Sequence, residues 1–358
     1  VKIAHRVPLA PLTTLGVGGP AHLLVEAETE DEVAEALSRA RSEGLPVLVL
    51  GGGSNLLVAD RGFPGLVLRP RVRGVRVEAG EGAVQVEAGA GEPWDAFVDR
   101  AVASGWAGVE CLSGIPGEVG ATPIQNVGAY GQEVADTIFS VRAIDRGTFA
   151  FVTLDAARCG FGYRDSVFKG ADAGRFVIVA VSFALRPGGA PAVRYAELAG
   201  RFAGRAAPSL AEVRDAVIAL RRAKSMVLDP ADENGRSAGS FFTNPVIEPG
   251  AIDAVRARVE ASGALAPGER MPEHPAPGGR VKLSAAWLIE RAGFRKGTAD
   301  GAVGISTRHS LALVNRGGAT AAAIVAFARR VKGAVHERFG VDLHPEPVLV
   351  GFEPGEGV

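Results

Sequence analysis

A chain of 358 residues is too long for one ordinary hydrophobic core, so two or three domains are expected. Its composition, 47% apolar and 22% charged, is that of a soluble globular protein. A formal net charge of -1 leaves no basic excess for a nucleic-acid backbone, no local basic patch supplies one, and the longest apolar runs have strand length, too short to span a membrane.

The first elements alternate strand and helix. Residues 22–27 read as a strand, and Thr29 with Glu32 forms a capping box for a helix whose Val33, Ala36, Leu37 and Ala40 recur at helical spacing up to Gly44. Residues 46–50 form a short apolar strand running into Gly51-Gly52-Gly53-Ser54-Asn55. A hairpin follows: Val75, Val77 and Ala79 alternate with polar residues, Gly80-Glu81-Gly82 turns, and Val84, Val86 and Ala88 alternate again. Pro93 opens a helix with Trp94, Phe97, Val98, Ala101 and Val102 on one face, closed by Gly105. Residues 113–131, rich in glycine, proline and asparagine, show no periodicity, and long loops of this kind in compact domains tend to be functional. Strands are expected at 141–144, 149–154 and 176–185, and a linker over 186–208. Ser209 and Glu212 make a second capping box, ahead of the stripe Val213, Ala216, Val217, Leu220. Helices at 284–292 and 320–339, strands at 302–306 and 311–315, and an exposed loop over 264–279 complete an α+β unit.

Few chemistries survive inspection of the reactive residues. Cys111 and Cys159 form no CxxC pair and no disulfide framework, which fits a reducing compartment and buried free thiols. The six histidines include no HExxH, so no metal site is expected. Residues 1–9 hold no apolar core of the signal-peptide kind, and the cytoplasm is the expected location. The loop after Leu50 suits backbone approach to a phosphate, but a Rossmann fingerprint fails because Leu56 stands in place of the third glycine. By itself that loop could equally be a plain tight turn. Two glycine-rich loops on separate units suit a long ligand with a central pyrophosphate and a flat ring.

Three segments carry a specific resemblance: Leu50-Gly51-Gly52-Gly53-Ser54-Asn55-Leu56-Leu57-Val58, Gly114-Ile115-Pro116-Gly117, and Pro123-Ile124-Gln125-Asn126-Val127-Gly128-Ala129-Tyr130-Gly131. They resemble the flavin-binding segments of UDP-N-acetylenolpyruvoylglucosamine reductases, and Thr13-Thr14-Leu15-Gly16-Val17 is similar to the same family. The resemblance extends over nearly the whole chain. It implies an α+β protein with a two-part FAD-binding region of the vanillyl-alcohol-oxidase (PCMH) type, residues 1–71 and 72–207. A C-terminal α+β substrate-binding domain, 208–358, would follow, its last segment returning to the active site. Non-covalent FAD would lie between the first two parts, against Gly51, Gly52, Gly53, Ser54, Asn55, Leu56, Ser113, Pro116, Gly117, Gly120, Ala121, Gln125, Asn126, Gly128, Ala129 and Tyr130.

The resemblance also implies roles for residues that have plainer readings on their own. Arg164, in Gly162-Tyr163-Arg164-Asp165, could be a surface arginine with a packed stem; by resemblance it lies beside flavin and substrate carboxylate. Ser240, in Ala238-Gly239-Ser240-Phe241-Phe242, sits in no G-x-S-x-G elbow, and by resemblance supplies a proton. Glu346, in Leu343-His344-Pro345-Glu346-Pro347, would hold an enolate-like intermediate or relay its proton, although His344 and Pro347 depart from the family pattern. Tyr195, Lys224 and Asn244 match positions that contact the sugar nucleotide, Tyr195 marking the branch with a tyrosine-bearing loop that closes over substrate. For Lys224 a solvated helix end is an equal reading. Lys282 looks family-like without a defined role. The implied reaction is two-stage: NADPH reduces FAD, and UDP-N-acetylglucosamine enolpyruvate then takes the hydride and a proton to give UDP-N-acetylmuramate for peptidoglycan. A monomer is expected. The rivals are a flavin oxidase of the same superfamily, a ligand-binding regulator without turnover, and a nicotinamide-only dehydrogenase.

Overall fold

The computed structural model describes residues 1–80 and 82–358, so Glu81, expected in the hairpin turn, lies outside the described residues. They fall into two compact units. The first comprises Val1–Val7, Ala21–Gly53 and Pro64–Leu228, and the second Pro8–Pro20, Ser54–Phe63 and Asp229–Val358. Each unit mixes helix and sheet, the α+β arrangement expected. The segments expected as 1–71 and 72–207 lie largely within one unit, which also takes the helix Leu210–Ala223, while two short early segments fold with the C-terminal part.

In the first unit, a four-stranded sheet has the order Lys2–Pro8, Pro20–Ala27, Phe63–Pro70, Val47–Val49. The last two run parallel, with Leu48 opposite Val67. The capping box of Thr29 and Glu32 starts the helix Glu30–Ser42, which leads from Pro20–Ala27 to Val47–Val49. Its Val33, Ala36, Leu37 and Ala40 bury against Leu23, Val25, Leu66 and Leu68, and the same cluster takes in Ile144, Val177 and Val179 from a second sheet. That six-stranded sheet has the order Phe151–Asp155, Ile138–Asp145, Phe176–Pro187, Val84–Gly89, Val75–Ala79, with Trp106–Ala107 pairing the end of the central strand. Antiparallel pairing of Val75–Ala79 with Val84–Gly89 bears out the expected hairpin. Trp94 and Phe97 of the helix Trp94–Ala103 stack with Phe183 of the central strand at centroid distances of 4.7 to 5.9 Å, and Trp94 Nε1 donates to Leu112 O.

The expected linker over 186–208 contains the helix Ala196–Phe202, whose Leu198 packs with Cys111 and with Val213, Val217 and Leu220 of the helix Leu210–Ala223. This cluster lies beneath Tyr130.

The second unit is built around the helix Ala321–Phe339, which buries Ile324, Ala328, Val331, Val335 and Phe339 and ends at Gly340 in the left-handed conformation. The strands Ala299–Asp300, Val303–Ile305 and Leu313–Asn315 form one small sheet, and Val246–Ile247, Val281–Leu283 and Glu273–Pro275 another. The loop expected over 264–279 is therefore less exposed than its prolines and glycines suggest: Ala264 and Met271 are buried and Glu273–Pro275 pairs in the sheet. Leu15, Val17 and Leu57 belong to this core, and Leu56–Val58 runs parallel to Val348–Val350. The early segments approach so closely that a Cβ on Gly19 would fall 2.2 Å from Asp60 O, and one on Gly62 2.0 Å from Pro20 O. Only glycine fits there. Asp60 accepts N–H bonds from Ala321 (2.7 Å) and Ala322 (3.0 Å), tying the segment to the positive end of the long helix.

Candidate active site

In the first unit the two glycine-rich loops meet backbone to backbone. A Cβ on Gly52 would lie 2.8 Å from Gly117 Cα, and one on Gly51 3.5 Å from Glu118 Oε2. Gly53 and Gly117 hold positive φ, 65° and 126°. The second loop is pinned from behind: Trp94 N–H donates to Gly117 O, Val119 N–H to Glu92 O and Gly120 N–H to Ala90 O. A Cβ on Gly120 would fall 2.5 Å from that of Ala90. Glu118, paired with Arg71, has its carboxyl raised above the usual range by burial. Two stretches of backbone in contact, bare of side chains, are the donor chemistry that a dinucleotide pyrophosphate takes, so the residues present fit FAD.

The rest of the second loop is braced by its own side chains. Ser113 Oγ donates to Glu110 O at 2.6 Å. Asn126, 1% exposed, donates to Glu133 Oε2 (2.7 Å) and Gly162 O (2.9 Å) and accepts from Ala135 N–H, so its amide ties the loop to the turn that bears Arg164. In that turn Gly162 and Asp165 pair with each other, and Ser166 Oγ reaches Ile124 O at 2.6 Å. Arg164 Nη2 donates to Gly128 O at 2.9 Å, and its guanidinium lies 5.6 Å from the Tyr163 ring.

The structure brings Tyr130, Tyr195 and Lys224 together. The Tyr130 and Tyr195 rings meet edge to face at 5.6 Å, and Lys224 Nζ stands 5.7 Å from the Tyr130 centroid while pairing with Glu197. Tyr195, 48% exposed, is the outer member, whereas burial pushes Tyr130 up to about 12. A residue expected at the flavin thus stands among those expected at the sugar nucleotide. Beside it is one the sequence reading missed. Arg221 is buried against Gly114, donates from Nη2 to Met226 O at 2.6 Å, and is pushed down to about 10 by burial. Its signal was present, since it extends the stripe of Val213, Val217 and Leu220 by one helical step. Asp95 accepts both Arg214 guanidinium bonds (2.7 and 2.9 Å) and Gly114 N–H (2.6 Å). Burial opposes its charge, yet these donors hold its carboxyl below the usual range.

In the second unit Ser240 and Glu346 lie on neighbouring, hydrogen-bonded segments. Phe241 N–H donates to Leu311 O (2.7 Å) on one side, and Glu346 N–H to Phe241 O (2.8 Å) on the other. Further pairing of Ser237 with Val314, Phe242 with Pro345, and Thr243 N–H with His344 O extends the ladder. Phe241 and Phe242 are fully buried anchors, and Ser240 and Glu346 remain partly accessible. Asn55 brackets Glu346, its Nδ2 donating to Glu346 O (3.3 Å) and its carbonyl accepting Val348 N–H (3.0 Å). Asn244 Oδ1 accepts Ala285 N–H at 3.0 Å, at the start of the helix Ala285–Arg291. His309 Nε2, 3.5 Å from Ser240 Oγ, is the second residue that the sequence reading missed, and no spacing links two positions 69 apart. Cys111 and Cys159 are buried, and burial pushes their thiols up to about 12 and about 11. Among the described residues there is no group of histidines, cysteines and carboxylates able to hold a metal ion.

Comparison with known proteins adds the family. Residues 21–148 match the model of an FAD binding domain, and residues 229–350 that of the UDP-N-acetylenolpyruvoylglucosamine reductase C-terminal domain. The chain is 51% identical to the UDP-N-acetylenolpyruvoylglucosamine reductase of Thermobifida fusca, over 98% of each chain. It is 52% identical to that of Saccharopolyspora erythraea, over 96% of this chain and 94% of the relative. The crystal structure of the Thermus caldophilus UDP-N-acetylenolpyruvylglucosamine reductase matches with a TM-score of 0.65 at 28% identity, covering 98% of this chain and 99% of that one. With half its residues identical over almost its full length, the chain belongs to the UDP-N-acetylenolpyruvoylglucosamine reductase family and is an FAD-dependent oxidoreductase.

Proposed function

We propose that this chain uses NADPH to reduce UDP-N-acetylglucosamine enolpyruvate to UDP-N-acetylmuramate, a step in making peptidoglycan precursor, and works as a cytoplasmic monomer. The observation that carries the reading is the ladder of the second unit, which gives Ser240 and Glu346 adjacent, backbone-fixed positions. FAD, when bound, would supply the hydride chemistry for the enolpyruvyl double bond. Gly51, Gly52, Gly53, Gly117 and Gly120 admit its pyrophosphate, and Ser54, Asn55, Leu56, Ser113, Pro116, Ala121, Gln125, Asn126, Gly128 and Ala129 shape the rest of its site. The guanidinium of Arg164, anchored on Gly128 O, grips the substrate carboxylate and stabilises the charge that develops on it. Glu346, in its hydrogen-bonding form, supports the same charge, and Ser240 Oγ protonates the adjacent carbon. Tyr130, Tyr195 and Lys224 receive the diphosphate, with Asn244 as a further polar contact.

Positioned acid catalysis contributes on the order of 10²- to 10⁴-fold. Ser240→Ala should therefore keep NADPH-driven bleaching of the flavin, measured anaerobically by stopped flow, while recovery of colour on adding the enolpyruvyl sugar nucleotide slows by about that factor. Recovery at the wild-type rate removes Ser240 from proton delivery. Bleaching by NADPH without any recovery in the wild-type protein rejects the substrate assignment. Sedimentation of the FAD-loaded protein as a dimer rejects the monomer.

A further inference from the structure

The hydroxyl assigned to proton delivery has a titratable neighbour. Ser240 Oγ lies 3.5 Å from His309 Nε2, and both side chains are partly accessible. Backbone pairing fixes the two segments together, through Phe241 N–H to Leu311 O at 2.7 Å and the bridge between Ser237 and Val314. The turn that carries His309 is tied as well. Ser306, fully buried, accepts N–H bonds from Arg308 (3.1 Å) and His309 (3.2 Å), and Ala312 N–H returns to His309 O at 3.1 Å. The pair is thus set by the fold of one unit and not by two mobile side chains finding each other.

A serine hydroxyl is a weak acid, and an alkoxide left in a partly desolvated site is costly. Proton delivery from Oγ to carbon requires that Oγ regain a proton as it loses one. Imidazole is the side chain whose ordinary titration lies near neutral pH. A separation of 3.5 Å is the outer limit of a hydrogen bond, and catalytic hydrogen bonds are commonly long before substrate binds and tighten afterwards.

We propose that His309 is a positioning residue that acts through Ser240, its protonated imidazole returning a proton to Oγ as Oγ gives its own to the substrate. The inference rests on the role of Ser240 proposed above. The balance is closed. The electron pair left on the substrate after hydride addition forms the new C–H bond as the Oγ–H bond breaks. The Nε2–H bond then breaks as Oγ–H re-forms, and neutral imidazole recovers a proton from water. Nothing is oxidised or reduced in this step. The charged and titratable groups on the elements around the turn are Arg308 on the turn itself, Arg236 on the segment paired with Asn315, and Glu290, which accepts from Ser310 Oγ. Lys296 precedes Gly297, whose N–H reaches Ser306 O, and His344 and Glu346 flank the residue paired with Phe242.

The test uses the FAD-loaded protein and follows both half-reactions across pH. In the wild type, reoxidation by the enolpyruvyl sugar nucleotide should slow as pH rises through the imidazole range, about pH 6 to 7. His309→Gln should bleach normally with NADPH, reoxidise at least about tenfold more slowly, and lose that pH limb. A merely structural histidine would move the rate without removing the limb. Wild-type rate or a retained limb in His309→Gln overturns the proposal. If that variant fails to hold FAD, His309→Asn replaces it, and a wild-type profile flat from about pH 5.5 to 8.5 overturns the proposal without any variant. Slow reoxidation by Ser240→Ala beside normal His309→Gln removes His309 alone, whereas normal Ser240→Ala removes the underlying role of Ser240.

Discussion

Replacing Gly52 by alanine asks whether the two loops are glycine-rich because their backbones must touch. The new Cβ would fall 2.8 Å from Gly117 Cα and 3.5 Å from Gly117 N, where carbon atoms ordinarily rest about 3.5 to 4 Å apart. Both partners are main chain, so no rotamer change relieves the overlap. The loops must part by roughly half an ångström or more, and overpacking of this kind costs about 1–3 kcal/mol. The melting temperature should drop by about 2–4 °C for each kcal/mol lost. If the parted loops also open the pyrophosphate cradle, a similar loss in flavin binding weakens Kd by about 5- to 150-fold, since about 1.4 kcal/mol is tenfold. The assay is the ratio of flavin to protein absorbance after desalting, with melting curves run with and without added FAD. Gly44→Ala is the control: its φ of 66° carries the same left-handed strain as many loop glycines, but nothing lies within 4 Å of the added Cβ. It should lose about 1–2 kcal/mol of stability and no flavin. Full flavin retention and an unchanged melting temperature in Gly52→Ala would refute the steric reasoning.

Asp60→Ala removes two charge-assisted bonds from the first turn of Ala321–Phe339; a loss of about 1–3 kcal/mol in urea unfolding is expected, with Asp60→Asn between it and wild type. Asp95 has a folded-state carboxyl below its ordinary value, so the stability it contributes is full above about pH 4 and is lost as pH falls through the folded-state value. The stability gap between wild type and Asp95→Asn should therefore close only in acid, and a gap that closes between pH 5 and 7 contradicts the assignment. Arg164→Gly relieves a left-handed backbone while deleting the guanidinium. Melting should change by little, because the relief offsets the lost bond to Gly128 O, and reoxidation by substrate should slow by about 10²-fold or more. Normal reoxidation would reduce Arg164 to a loop brace.

Local chemistry carried much of the fold into the sequence. Thr29 with Glu32, and Ser209 with Glu212, are capping boxes in the structure as they are in the sequence, and the apolar stripes behind them are the buried faces. Elements without such a stripe escaped. The strand Lys2–Pro8 buries almost nothing, and the helix Ala196–Phe202 fully buries only Leu198 within a stretch that reads as a linker. Long-range returns escaped too, because nothing local tells Leu15, Val17 and Leu57 to join a core built mostly from residues beyond 237. The site divides the same way. Its glycine loops announce themselves by composition, whereas the approach of His309 to Ser240 exists only once Phe241 has paired with Leu311.

Backbone strain points to some of the same residues as the family resemblance, from a different direction. Asn126, Tyr130 and Arg164 have φ of 47°, 50° and 54°. A bulky L-residue held there costs of order 1–3 kcal/mol and persists only where its surroundings over-determine it. The surroundings are visible: three amide bonds for Asn126, and for Arg164 the Gly162–Asp165 pairing, the bond to Gly128 O and the Lys169 bond to its own carbonyl. Tyr130 is packed against Tyr195 and beneath Lys224. The same chain segments use glycine freely, at Gly117 and Gly131 among others, where positive φ carries no such cost. Where the chain keeps a large side chain in that conformation instead, the side chain itself is what the position requires. For Asn126 the requirement is met inside the protein, by the bonds that hold the Arg164 turn. For Arg164 and Tyr130, the substrate contacts proposed above would be a use of the guanidinium and the phenol that a glycine could not serve.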